Sequence, residues 1–150
     1  MDNGLYKADF YRWTIEQSEL LRSIEFEGLD TKNLAEEISS LGRQERRELR
    51  NHFNVLIGYL LKWYLLPEEH SKLWQVTIDS ERREIHWILR DSPSLKDRLN
   101  EIITDSYEAA LYLVILETSI DPKKLPKDCP YTVEEILDLR FPSNINEEFE

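Results

Sequence analysis

The sequence contains few of the residues that form disulfides and tight turns. Its 150 residues include one cysteine, Cys129, with four glycines and six prolines. One cysteine cannot form a disulfide within the chain, so nothing in the sequence indicates an oxidising compartment. The glycines and prolines are too few for the many tight turns of a β-sandwich or a barrel, and this shortage favours helices.

Long apolar runs are absent as well. The longest lie near residues 53–61 and 109–116, and both are much shorter than the ~20 residues that a membrane-spanning helix needs. Asp9, Arg12 and Glu16 interrupt the N-terminal part of the chain, where an export signal would require a continuous apolar segment. We therefore expect a soluble cytoplasmic protein that does not interact with membranes.

Positive charge is scarce overall but concentrated in one segment. The chain has 19 Lys and Arg against 30 Asp and Glu, which gives a formal net charge of −11. This balance disfavours binding to nucleic acid, because affinity for phosphate rests mainly on Lys and Arg. Residues 43–66 are nevertheless net basic, and they contain Arg43, Arg46, Arg47 and Arg50. The arginines mark this segment as a candidate binding surface.

Apolar periodicity and cap residues predict an all-α domain, a bundle of four to five helices organised around one long central helix. The predicted helices cover about residues 10–24, 30–66, 71–91 and 93–118, with a short helix opened by Thr132. The residues predicted to cap the first four helices are Asp9, Asp30, Ser71 and Ser92. The fourth is apolar all round over residues 109–116, which is typical of a helix in the centre of a core. We predict one domain over residues 1–150, with an ordered core at about 6–142 and a frayed acidic tail.

The apolar stripe of the central helix is interrupted in its middle. Gly42 and Glu45 stand where the pattern requires apolar residues. A kink, a close approach of another chain to the backbone, or a plain solvated stretch between two packed halves would each account for this gap. The predicted core stripe on either side comprises Leu34, Ile38 and Leu41, then Leu49, Phe53, Leu56, Leu60 and Trp63.

Six segments of the chain resemble a known family. They are, in order, DFYRWTIEQSELLRS, LDTKNLAEEISSLGRQERREL, LLKW, TIDSERREI, SPSLKDRL and CPYTVEEILD. Together they resemble the bacterial family called domain of unknown function 29, over about residues 6–142. The resemblance implies a small all-helical protein with no assigned activity. Family members often have a histidine before LLKW, where this chain has Gly58, Tyr59 and Leu60, so no catalytic role carries over to Tyr59.

One spacing on the central helix suggests catalysis. Arg46 and Arg47 precede His52 by six and five positions, which resembles the Arg-x(4–6)-His element of the higher-eukaryote-and-prokaryote nucleotide-binding ribonucleases. In such a site the histidine would act as general acid and base while an arginine held the phosphate. The alternative interpretation is structural: the four arginines pair with Glu36, Glu37, Glu45 and Glu48 on neighbouring turns, each pair stabilising the helix by ~0.2–0.5 kcal/mol.

The sequence leads to two predictions of function and a weaker third. The first is a non-enzymatic module that binds a protein partner or a second copy of itself through Arg43, Glu45, Arg46, Arg47 and Arg50. The alternative is a metal-independent ribonuclease or phosphodiesterase that uses His52 with Arg46 or Arg47. A small-molecule pocket between helices is the third.

No cofactor and no metal are expected. His52, His70 and His86 show no Glu-x-x-His spacing, so a di-iron bundle is not supported. Cys129 has no histidine or lysine directly beside it. We therefore expect this thiol to be buried beneath the proline-rich segment rather than reactive.

Overall fold

The computed structural model describes residues 4–146, apart from the side chain of Phe10. This part of the chain contains helices and no strands, so the predicted all-α class is confirmed. The predicted tail lies mostly in residues 147–150, outside the described residues. The six α-helices are α1 (Leu5–Ala8), α2 (Phe10–Arg22), α3 (Thr31–Leu65), α4 (Lys72–Asp91), α5 (Leu99–Glu117) and α6 (Val133–Leu137).

Local hydrogen bonds at the helix starts explain most of the boundaries. Asp9 accepts from the backbone N–H of Arg12 at 3.0 Å, and Ser71 caps α4 in the same way. Thr132 and Glu135 form the reciprocal capping box at α6. Ser92 does not cap a helix, and Pro93–Arg98 is a 3₁₀ segment, so the predicted fourth helix begins later, at Leu99. A tight 3₁₀ turn before an α-helix is a common way to begin one.

The chain forms two compact units, Met1–Gln44 and Glu45–Glu150. The boundary falls within α3, whose backbone stays helical through Gly42. A Cβ atom built on Gly42 would meet nothing within 4 Å. The kink and the close approach of another chain therefore stay predictions, as does the single domain over residues 1–150.

The first unit is organised around a polar centre. Trp13 is buried and donates from Nε1 to Oδ2 of Asp30 at 3.2 Å, while the backbone N–H of Asp30 donates to Gln17 at 2.8 Å. Burial alone would raise the pKa of Asp30, but hydrogen bonds from Asn33 and Trp13 hold that pKa below its usual value. Asp30 also caps α3, as predicted, by accepting from the backbone N–H of Asn33.

The prediction that the apolar stripe of α3 is buried in this unit is wrong. Ile38 and Leu41 are 67% and 65% exposed, and Leu21 and Ile24 near the end of α2 are exposed too. Among the described residues of Met1–Gln44, the buried centre consists of Trp13 with polar partners. Periodicity locates an apolar face on a helix, but it does not supply an element to cover that face.

The second unit contains the apolar core. His52 of α3 meets Glu81 of α4, and Tyr59 meets Trp74, so α4 runs antiparallel to this part of α3. The stripe predicted for this half, Leu49 to Trp63, is buried as expected. A Cβ on Gly58 would lie 2.9 Å from a methyl group of Leu113, so this glycine lets α3 and α5 approach closely.

Helix α5 is less buried than its sequence suggests. It lies parallel to α3, because Arg46 meets Glu101 and Lys62 meets Glu117. Its inner residues Ile102, Ile103, Ala110 and Val114 are buried, whereas Tyr112 and Leu116 are exposed. The expectation of a helix surrounded on all sides is therefore wrong, because α5 has one face that no described element of this unit covers.

The segment after α5 crosses back over the bundle. Tyr107 donates its hydroxyl to the carbonyl of Pro126 at 2.7 Å, and Tyr131 donates to the carbonyl of Leu60 at 3.1 Å. Burial raises the pKa of Tyr107 to about 12. Cys129 is half-buried in this segment, and burial raises the pKa of its thiol. A raised pKa keeps the thiol protonated and unreactive near neutral pH.

Candidate functional site

The arginines of α3 fall in two units and have different partners. Arg43, in Met1–Gln44, pairs with Glu36 at 2.7 Å, as the structural interpretation predicts. Arg46, in the second unit, pairs with Glu101 of α5 at 2.6 Å. Glu101 was not among the predicted partners, because it is 55 positions away in the chain.

Arg47 and Arg50 differ from these two. Both are exposed, and neither forms an ion pair with any residue in the described part of the chain. Residues three positions apart on a helix are neighbours on its surface, with Cβ atoms about 5–6 Å apart. Asn51 is exposed beside Arg50, whereas Glu45 is half-buried. The free cationic part of the predicted surface is therefore Arg47 and Arg50.

The histidine of the predicted Arg–His element is held by a carboxylate. Nδ1 of His52 lies 2.6 Å from Oε2 of Glu81 on α4, and both side chains are mostly buried. An ionised carboxylate can only accept, so Nδ1 carries the hydrogen of this bond. Of the three residues in the predicted site, His52 is bound to α4 and Arg46 to α5, whereas Arg47 has no ion-pair partner among the described residues. A catalytic role for them stays a prediction.

A buried lysine is the feature that sequence reasoning missed. The side chain of Lys62 in the LLKW segment is 4% exposed. Its Nζ lies 3.9 Å from the ring centre of Tyr59 and 4.9 Å from that of Trp74, and Oε2 of Glu117 is 3.5 Å away. Such cation–π contacts contribute about 0.5–2 kcal/mol. The two rings and the carboxylate of Glu117 therefore stabilise the buried charge of Lys62 within the bundle.

The signal for this cluster was present in the sequence. Lysine is almost never fully buried unless it is paired, and Lys62 interrupts an otherwise apolar run from Leu60 to Leu66. Burial is the main cause of the raised pKa of Tyr59, and the negative charges of Glu117 and Glu81 raise it further. Tyr59 therefore stays neutral near pH 7, and the ammonium group of Lys62 lies over its ring.

A family model described as Domain of unknown function DUF29 matches residues 5–142. This chain belongs to the DUF29 family. The resemblance found in the sequence is thereby confirmed. No curated protein matches the chain, and no solved structure does.

Two properties of this DUF29 protein concern membranes and metals. Within residues 4–146, no helix has the length and apolar character to cross a membrane. Over the same residues, no three His, Cys, Asp or Glu side chains come together as metal ligands would. The cytoplasmic location stays a prediction.

Proposed function

We propose that this DUF29 protein is a non-enzymatic interaction module that binds an acidic protein surface through the arginine segment of α3. One observation carries the proposal: Arg47 and Arg50 are exposed and have no carboxylate partner among the described residues, in a chain with a net charge of −11. The predicted surface also contains Arg43, Glu45 and Arg46, but the two arginines of this set already bind Glu36 and Glu101.

The chemistry of arginine suits this role. Its guanidinium group binds a carboxylate through two parallel hydrogen bonds and loses hydration more easily than the ammonium group of lysine. The bond between Arg46 and Glu101 ties this part of α3 to α5. Arg47 and Arg50 therefore project from a segment that is already held in place. The positive charges would orient an approaching acidic partner and increase the rate of association.

The partner is either another protein with an acidic patch or a second copy of this chain. A second copy has many carboxylates to offer, because Asp and Glu outnumber Lys and Arg by 30 to 19. The two cases share one surface and are separated by experiment: self-association appears in the purified protein alone, whereas a different partner has to be supplied.

The test reverses the two free charges. Arg47→Glu with Arg50→Glu is compared with Lys123→Glu and Lys124→Glu, which change the net charge equally at two exposed lysines elsewhere. Sedimentation of the purified proteins reports self-association, and affinity capture from the native host reports stoichiometric partners. We expect the arginine variant to lose the complex and the lysine variant to keep it.

Two outcomes would contradict the proposal. If both variants retain the same partners and the same sedimentation behaviour as the unmodified protein, the arginine segment is not the binding surface. If both lose the complex equally, net charge alone governs the association and no local site exists. Circular dichroism of each variant verifies that the helices are intact.

The hydrolase remains a second candidate because of His52. A histidine whose Nδ1–H donates to a carboxylate is held in one tautomer and orientation, as in many general acid–base sites, and Glu81 supplies that carboxylate here. Purified protein and its His52→Ala variant should be incubated with structured and single-stranded RNA. Cleavage that depends on His52 would support the hydrolase, whereas equal or absent cleavage in both would reject it.

A further inference from the structure

Two adjoining hollows on the second unit are lined by cationic and apolar residues and by no acidic ones. Their volumes are about 420 and 580 Å³, and they share His86 and Arg90. We call them together the α4 cleft. The remaining lining residues are Arg83, Trp87 and Leu139 in the first, and Leu89, Pro93, Lys96, Leu99 and Leu137 in the second. An acid-free cleft is unexpected in a chain with a net charge of −11.

The wall of this cleft is held in place by hydrogen bonds from α4. Arg82 is 1% exposed and donates from Nε to the carbonyl of Ile136 at 2.8 Å and from Nη2 to that of Glu135 at 3.3 Å. His86, one turn along, lies 3.2 Å from the carbonyl of Leu137 and donates to it. These bonds satisfy carbonyls at the end of α6, where a cation also interacts favourably with the helix dipole.

The cationic groups of the cleft are open to a ligand to different degrees. Arg90 and Lys96 are exposed and form no ion pair with any described residue. The guanidinium carbon of Arg90 lies 5.5 Å from the ring centre of Trp87, whose side chain is 59% exposed. Arg83 is the exception, because its Nε is bound to Asp79 at 2.8 Å.

We propose that the α4 cleft binds an acidic peptide segment that carries a large apolar side chain. The carboxylates would pair with Arg90 and Lys96, and the apolar side chain would pack on Trp87, Leu137 or Leu139. Charge complementarity selects an anionic ligand, and exposed tryptophan and arginine are the residues that dominate protein-binding surfaces.

Other anions fit these features less well. A free phosphate would satisfy the cationic groups but would leave the apolar lining unused. A nucleic acid chain is longer than the cleft, and repulsion between its phosphates and a protein with a net charge of −11 opposes its binding. The α4 cleft shares no residue with the arginine segment of the proposed function and does not depend on it.

The test begins with an unbiased selection. Random peptides displayed on phage are selected on the immobilised full chain, and the selected peptides are synthesised with a fluorescent label for anisotropy. Each is measured against the unmodified protein, Arg90→Glu and Trp87→Ala. The matched controls are Lys123→Glu, an exposed lysine outside the cleft, and Tyr112→Ala, an exposed aromatic residue on α5.

We expect the selected peptides to be rich in Asp and Glu and to contain a large apolar residue. Arg90→Glu should weaken their binding by roughly tenfold or more and Trp87→Ala by about fivefold, as substitutions at central interface residues do. The two controls should bind within about twofold of the unmodified protein, as substitutions outside an interface do. Arg47→Glu with Arg50→Glu should also leave binding unchanged, which separates this cleft from the proposed function.

Several results would overturn the proposal. These are selected peptides without net negative charge, selection that yields no binder, or equal affinity for the unmodified protein and Arg90→Glu. Pyrophosphate and a single-stranded oligonucleotide serve as competitors. If either displaces the peptides at a concentration below the peptides' own dissociation constant, the cleft is a site for phosphate or nucleic acid instead. Circular dichroism and Trp87→Phe, which should retain binding, exclude misfolding as the cause of a loss.

Discussion

The two units of this protein bury different kinds of residue, although apolar residues recur at helical spacing in both. In Met1–Gln44 the one large apolar side chain recorded as buried among the described residues is Trp13, and its partners are the polar Asp30 and Gln17. In Glu45–Glu150 the buried apolar side chains of the described residues form one cluster, which extends from Leu49 to Ile145. Hydrogen bonds give the first unit its specific structure, whereas removal of apolar area from water stabilises the second.

The comparison implies that the first unit has the lower intrinsic stability. A buried hydrogen bond contributes about 0.5–1.5 kcal/mol net, whereas full burial of one leucine contributes about 1.5–3 kcal/mol. Local opening is expected where few apolar side chains are buried. The substitutions below test this difference, beginning with the largest expected effect.

Leu56→Ala should have the largest effect on the stability of the second unit. Leu56 is fully buried in the apolar cluster, and a buried leucine replaced by alanine typically costs 2–5 kcal/mol through lost burial and a residual cavity. Urea unfolding followed by circular dichroism measures the loss. A change below about 1 kcal/mol would show that this core collapses around the cavity and is less tightly packed than the structure indicates.

Arg82→Met should have the second-largest effect on the stability of the second unit. The substitution retains much of the apolar stem but removes the donors to the carbonyls of Ile136 and Glu135. A buried acceptor left without a donor costs about 1–3 kcal/mol, which applies to the carbonyl of Ile136, and the partly buried carbonyl of Glu135 loses its bond as well. Burial lowers the pKa of Arg82 to about 10, so this cation is charged at neutral pH. Arg83→Met is the control: its side chain is exposed and pairs only with Asp79. Equal urea midpoints for the two variants would contradict this account.

Acidification should open the first unit before the second. The pKa of Asp30 is lowered in the folded chain from its ordinary 3.8. The charged carboxylate therefore contributes stability that is present above pH 3.8 and is lost as the pH falls through the lower folded pKa. Hydrogen exchange measured by mass spectrometry, corrected for the intrinsic pH dependence, should show protection lost first in Met1–Gln44.

Asp30→Asn provides the control for this pH effect. The amide carries no negative charge and does not titrate in this pH range, so the variant should exchange faster at neutral pH and show a smaller further loss of protection on acidification. If the variant and the unmodified protein respond to acid identically, the hydrogen bonds from Trp13 and Asn33 to Asp30 are not what holds the first unit together.

Ile38→Ala with Leu41→Ala should have the smallest effect. Both side chains are largely exposed, and substitutions at exposed positions usually change the free energy of unfolding by less than about 0.5 kcal/mol. Urea unfolding of this double variant beside Leu56→Ala compares an exposed apolar pair with a buried one. A loss of 2 kcal/mol or more, the range typical of core positions, would mean that this stripe is covered in solution.

Much of the local structure was accessible from the sequence. The caps at Asp9, Asp30, Ser71 and Thr132 were predicted from residue type, because a cap is a contact between residues two or three positions apart. The buried stripe from Leu49 to Trp63 was predicted because its apolar spacing follows the helical repeat. The start of α5 was missed, since the 3₁₀ segment after Pro93 satisfies the same local signals as an α-helix.

The candidate sites could be predicted only in part from the sequence. The arginine segment was found from its composition, but the difference between Arg46, bound to Glu101, and the free Arg47 and Arg50 depends on α5. The α4 cleft was not found, because its lining residues range from position 83 to position 139. Spacing along the sequence does not identify residues that far apart as neighbours.

By itself the sequence determined the helical class, the positions of most helices, the family and the segment in which positive charge is concentrated. The helical class and the helix positions depend on residues close together in the sequence, because caps and apolar periodicity are local features. Only the tertiary structure decided which apolar faces are covered, as Leu56 is and Ile38 is not. It also decided which charges are satisfied, since Lys62 meets Glu117 and Arg82 meets Ile136 at distances of more than fifty residues along the chain. Burial and pairing depend on elements that folding brings together, and local pattern does not specify them.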